Sequence, residues 1–263
     1  MENAENIFFA PAGELYNLGI EYLNDSTGHY LLDNYAIYRL SSTQELLNSH
    51  PFKSLQSAVL YGGLDYFSSH SALLKEKVPD KTISYGSLMR SINERGGFEP
   101  LYGTSTEIKD ISELLQKGNL ICKIYTGNDG TESSFKSIVN TQPDILHIAT
   151  HGMYIKLDEK KDLIKKNNFS FVLSEDDDNL HPEDISLTRS FIVMSGGNQL
   201  IQRDSIPLDS EDGIVTAEEI SHMDVHETNL VVLSACQTGL GDVSNEGVYG
   251  LQRGFKKAGA NTL

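Results

Sequence analysis

Two stretches decide what this chain can fold into. "DILHIA", residues 144–149, and "LVVLSA", residues 230–235, are continuous apolar runs. A strand with one wet face alternates apolar and polar residues; an uninterrupted run implies burial on both faces. Strands of that kind belong to parallel sheets, and parallel neighbours need crossover connections, usually helical. The rest of the chain supplies them. "STEIKDISELLQKG" sets Ile108, Ile111, Leu114 and Leu115 at helical spacing, with Thr104 or Ser105 as N-cap and Gly118 as the stop. "TESSFKSIVN", "TAEEIS" with Thr216 as cap, and "GVYGLQRGFKKAGA" ending at Gly259 read as further helices. Strands alternating with helices make the fold class α/β, a parallel sheet covered on both faces.

Further strands are expected at "ENIFF", at "YLLDNYAIYRL", at "SLQSAVLYGGLDY" stopping at Gly62-Gly63, at "LICKIYTG" and at "SFIVMSGG", with a short helix over "QELLNS". The polar segment 67–100 and the charged segment 156–188 read as insertions outside the core, the second holding "KLDEKKDLIKK" and "SEDDDN". The whole, 1–263, reads as one domain. Its closing "AGANTL" looks like a turn entering another strand, so the C-terminal part of the domain is expected to be missing.

Composition excludes some functions. Twenty-one Lys and Arg stand against 37 Asp and Glu, a formal net charge of −16, which disfavours non-specific binding to nucleic acid or an anionic membrane surface. No apolar run approaches the ~20 residues of a membrane helix. The start, "MENAENIFFAPAGELY", lacks a basic head followed by a long apolar core. Two cysteines, Cys122 and Cys236, make no disulfide framework. A cytoplasmic protein with reduced thiols is expected.

In open parallel sheets the ligand site lies beyond the carboxyl ends of the strands. His151 and Cys236 stand at the carboxyl ends of the two apolar runs, each near glycine, in "ATHG" and "SACQTG". A cysteine attacks a carbonyl as thiolate, and a neighbouring imidazole can take its proton and return it to the leaving amine. The developing oxyanion needs backbone N–H donors, which glycine-flanked strand ends can present. Taken singly, a free cysteine is usually packing and a strand histidine usually structural. The pairing shifts the balance toward a shared site.

"DILHIATHG" and "LVVLSACQTGLGDVSNEGVYGLQRGFKKAGANTL" resemble the two signature blocks of the CHAT family, caspase-like cysteine peptidases often attached to tetratricopeptide repeats. "IFFAPAGELYNLGIEYL", "AVLYGGLDY", "LYGTSTEIKDISELL" and "GIVTAEEISHMDVHETNLVVLSAC" resemble the family in style and order, so the likeness spans nearly the whole chain. It implies a caspase-hemoglobinase-like three-layer sandwich, with a mostly parallel sheet between helices. It implies His151 as general base and acid, Cys236 as nucleophile, and the backbone N–H groups of Gly152 and Cys236 as oxyanion hole. No cofactor and no metal are implied. The reaction would be hydrolysis of a peptide bond in a specific protein substrate. Control by a regulatory partner or a tetratricopeptide-repeat region, and a role in bacterial defence, follow by the same analogy. A catalytically inactive interaction module and a small-molecule acyl-transfer hydrolase are the other readings.

Remaining features read more plainly. His147 and His151 stand four apart, as in helical zinc motifs, but "ILHIATHG" is strand, so His147 is expected to be a hydrogen-bonded structural residue. Cys122, mid-strand in "LICKIY", is expected to pack. Asp144, Asp242 and Glu246 lie near the motifs and could bind a basic substrate residue, or could be surface or capping groups. The acidic run Glu175 to Asp178 reads as a solvated loop, the sharper alternative being a self-cleavage loop.

Overall fold

The structure is a computed structural model; it describes residues 4–11, 15, 18–40, 43–47, 54–68, 82–83, 96–154, 187, 189–201, 206–207, 211–235, 242–244 and 247–263. In chain order its elements begin with β1 (Asn6–Phe9), a 3₁₀ turn at Ile20–Tyr22, α1 (Leu31–Asn34), β2 (Ala36–Arg39) and a 3₁₀ turn at Thr43–Leu47. Then come β3 (Ser57–Leu64), β4 (Thr82–Ile83), α2 (Tyr102–Lys117), β5 (Ile121–Gly127), α3 (Glu132–Lys136) with a 3₁₀ turn at Ser137–Asn140, β6 (Ile145–Ala149) and β7 (Gly152–Tyr154). The last part holds β8 (Ser190–Val193), α4 (Asn198–Ile201), β9 (Ile206–Pro207), β10 (Ile214–Thr216), α5 (Ala217–Ser221), β11 (Leu230–Ser234), β12 (Asp242–Ser244), β13 (Gly247–Tyr249) and α6 (Leu251–Lys257).

The centre is a four-stranded sheet in the order β11-β6-β3-β5, every neighbouring pair parallel. Its two faces carry different cores. Val59, Tyr61, Leu146, Ile148 and Val231 face the helices α3, α5 and α6 through Phe135, Ile220, Leu251 and Phe255. Ala58, Leu60, Ile145 and Ala149 face α2 through Ile108. This is the expected mixed α/β architecture with a mostly parallel central sheet and helices, consistent with a caspase-like CHAT fold. Tyr61, Phe135 and Phe255 stack edge to face at 5.9 and 6.4 Å, locking strand to helix to helix. Each such pair adds about 0.5–1.5 kcal/mol beyond its buried area.

Several elements differ from the reading of the sequence. "YLLDNYAIYRL" splits into α1 and β2, because the Asp33 carboxylate accepts from the Tyr30 N–H at 2.8 Å and closes a helical turn. Strand β3 runs through Gly62 and Gly63 rather than stopping there, with a register shift between Tyr61 and Leu64. A Cβ on Gly62 would lie 2.7 Å from the Thr104 carbonyl oxygen, so the missing side chain is what lets α2 lie on the sheet. Helix α2 begins at Tyr102, ahead of Thr104 and Ser105. Those two hydroxyls donate back to the carbonyls of Leu101 and Tyr102 instead of capping, and Thr104 Oγ1 also accepts from the Gly63 N–H. Leu114, assigned to the apolar stripe, is 67% exposed.

The strand read into "SFIVMSGG" lies outside the parallel sheet. β8 pairs antiparallel with β7 and β10 in a separate three-stranded sheet, order β10-β8-β7. The apolar run 230–235 is less enclosed than expected: β6 is buried at all five positions, β11 only at Val231. At its outer edge β11 meets an isolated parallel bridge between Leu230 and Thr262. Other expectations hold. Thr216 caps α5, and Gly259 ends the turn after α6 at φ +98°. Most of 67–100 and 156–188 lies outside the described residues.

Candidate active site

Strand β6 delivers His151. Its last paired residue, Ala149, stands in register with Ser234 of β11, and Thr150 then breaks the strand. Position 151 follows Ala149 by two residues, and position 236 follows Ser234 by two. Parallel pairing brings the carboxyl ends of β6 and β11 to one rim of the sheet. Cys236 itself lies outside the described residues.

The imidazole is held on two sides. Its ring packs against Tyr66 at 5.0 Å and Phe98 at 5.3 Å between centroids. Its Nε2 lies 2.8 Å from the backbone carbonyl oxygen of Glu99. A carbonyl only accepts, so Nε2 carries the hydrogen, and the neutral ring keeps its lone pair on Nδ1. Pro100 restricts Glu99 to extended backbone, which limits where that carbonyl can point.

The strand break is held by hydroxyls. Thr150 Oγ1 donates to the Val193 carbonyl, so it accepts from Tyr66 Oη at 2.9 Å. Burial pushes the Tyr66 phenol up, keeping it a donor. The Val193 N–H donates to the His151 carbonyl, making 151 and 193 a hydrogen-bonded pair in the β7–β8 ladder. Gly152, opposite Ile192, is then at a non-hydrogen-bonded position, its N–H directed away from β8. Sequence reading reached His151 and Gly152 but missed Tyr66, Phe98, Thr150 and Glu99. A backbone carbonyl has no residue-type signature. Tyr66, just past the carboxyl end of β3, could have been found from the same strand-end rule.

The other candidates separate from this rim. His147 is 5% exposed and its Nε2 lies 2.9 Å from Glu107 Oε1 of α2, so it is the hydrogen-bonded structural residue expected. Asp144 lies at the opposite, amino rim. Its carboxylate accepts from the Gln56 and Ser57 N–H groups, the Ser57 hydroxyl and the Asn229 side-chain amide, which removes it from a substrate pocket over His151. Cys122 is half-buried and packs beneath α2. The Asp242 side chain, Glu246 and the run Glu175 to Asp178 lie outside the described residues. Among the described residues no three His, Cys, Asp or Glu side chains converge as a metal site, and no helix is long and apolar enough to cross a membrane.

The CHAT domain family model matches residues 1–263, the whole chain. The chain belongs to the CHAT family. No curated protein and no solved structure gives a match. A CHAT domain is caspase-like and peptidase-related, and this one carries its histidine block on β6 and leads from β11 into its cysteine block.

Proposed function

We propose that this CHAT domain is a cysteine endopeptidase that hydrolyses a peptide bond of a specific protein substrate. One observation carries the reading: the Glu99 carbonyl ties up Nε2 of His151, leaving Nδ1 as an acceptor over the carboxyl rim, beside the strand that leads to Cys236. In this reading Nδ1 takes the Cys236 thiol proton and the thiolate sulfur attacks the scissile carbonyl carbon. The carbonyl π electrons move to oxygen, which accepts from the N–H groups of Gly152 and Cys236. The C–N bond then breaks, its electron pair going to the amine, which takes the proton from His151 and leaves a thioester. Water, deprotonated by the same Nδ1, adds to the thioester carbon; the C–S bond breaks, the carboxylic acid leaves, and the sulfur takes the proton back from His151. The acidic surface fits a basic or neutral protein segment better than an acidic one. Activation by a regulatory partner or an attached tetratricopeptide-repeat region belongs to the same proposal.

An irreversible peptide electrophile should label Cys236, mapped by mass spectrometry. His151→Ala and Cys236→Ala should each lower peptide cleavage by roughly 10³-fold or more. Cleavage unchanged in both variants would overturn the proposal. Turnover of small esters with none of peptides would transfer the dyad to the acyl-transfer reading, and absence of labelling to an inactive interaction module.

A further inference from the structure

The first residue of α4 is Asn198, 1% exposed. Its side chain does what a neighbouring strand would do for Phe98. The Phe98 N–H donates to Asn198 Oδ1 at 2.7 Å, and Asn198 Nδ2 donates to the Phe98 carbonyl at 3.0 Å. Its own backbone N–H donates to the Tyr66 carbonyl at 2.9 Å. One residue thus fixes both aromatic walls of the His151 slot, and it does so immediately before Glu99, whose carbonyl holds Nε2. The fit is close. Gly97 stands at φ +92°, and a Cβ there would lie 2.6 Å from Asn198 Oδ1.

We infer that Asn198 is a positioning residue for His151: by clamping Phe98 it aims the Glu99 carbonyl at Nε2 and so fixes the hydrogen there and the free lone pair on Nδ1. The inference rests on the reading of His151 as the base. Without the clamp, the Phe98 ring keeps its core packing, but its backbone and that of Glu99 lose their hydrogen-bonded anchor between the permissive pair Gly96-Gly97 and Pro100. The Glu99 carbonyl can then turn to water, and the ring is free to exchange its tautomers. Three substitutions address the clamp differently. Asn198→Ala removes both bonds. Asn198→Asp keeps the shape and the acceptor for the Phe98 N–H but sets an oxygen against the Phe98 carbonyl. Gly97→Ala crowds Oδ1 and leaves Asn198 in place.

The test is two-bond ¹H–¹⁵N NMR of the histidine rings in the full chain at neutral to mildly alkaline pH, with His151 assigned by His151→Gln and folding checked by core methyl resonances. The parent should show His151 fixed with hydrogen on Nε2, and the variants should show averaged tautomers. Where peptide turnover is measured, kcat should fall roughly 10- to 100-fold with KM nearly unchanged. Any folded variant keeping the parent His151 pattern overturns the inference. So does unfolding of all three, since the clamp would then hold the fold and not the ring. The spectrum needs no turnover, so loss of the peptidase reading and loss of the clamp register separately.

Discussion

At the scale of single residues, the two acidic groups nearest the histidine block do opposite things. Glu107 reaches His147 from α2 and gives a buried ring nitrogen a partner. Asp144 gathers donors from Gln56, Ser57 and Asn229, so one carboxylate joins the starts of β3, β6 and β11. Burial alone would raise its pKa, but the Gln56, Ser57 and Asn229 hydrogen bonds outweigh that and hold the carboxyl below its ordinary range. A depressed carboxylate stabilises the fold above its unfolded pKa, and that contribution is lost as pH falls through the folded value. Asp144→Ala should therefore cost about 2–3 kcal/mol in urea unfolding at pH 7. The cost should shrink as the measurement is repeated toward pH 3. From sequence, Asp144 could be a pocket acid or a capping group, because a residue's place before a strand does not reveal which backbone amides come to it. His147 was legible, since an in-line histidine in a two-sided strand must find a partner.

At the scale of elements, the least expected feature is the carboxylate of Glu132 in the first turn of α3, 3% exposed. It accepts from Lys136 at 2.5 Å and from the Gly213 N–H at 2.9 Å, and Lys136 also reaches Glu219 of α5 at 3.1 Å. The group ties α3, α5 and the turn into β10 together. Burial, with the charge of Asp212 second, pushes the Glu132 carboxyl up to about 8. A carboxyl raised on folding keeps its proton in the native state where the unfolded chain has lost it. Stability should then fall as pH rises from about 4.5 to about 8. Glu132→Gln should flatten that slope in urea unfolding series across this window; an unchanged slope would place the pH dependence elsewhere. Elements built on local chemistry were legible: the cap at Thr216, the stop after α2, the runs of β6 and β11. Those that depend on distant partners were not. β8 carries a good strand sequence, but nothing local says that β7 and β10, rather than the parallel sheet, will receive it. Gly62 and Gly63 look like a stop until α2 is seen to need the space.

At the scale of the whole molecule, the sheet order β11-β6-β3-β5 makes neighbours of two strands separated by a long intervening stretch. Both sides of the segment between Tyr154 and Leu187 are anchored, β7 on β8 and β6 on β11. A single protease cut within 155–186 should leave two fragments that co-elute in native gel filtration and separate only under denaturation; separation under native conditions would contradict that anchoring. This arrangement explains how much of the site was legible. Strand-end placement pointed to the rim where His151 stands, because parallel strands share a carboxyl rim; Cys236, expected there by the same rule, lies outside the described residues. The Glu99 carbonyl and the Asn198 clamp come from segments that only the tertiary fold brings to that rim. The two strands also differ in how firmly they are gripped: β6 lies between two partners and is buried along its length, whereas β11 is largely half-buried, with a bridge near its start on the outer side. His151 therefore follows the enclosed strand of the sheet, and β11 is the more solvent-accessible one. In hydrogen exchange the amides of β11 should therefore open to solvent before those of β6.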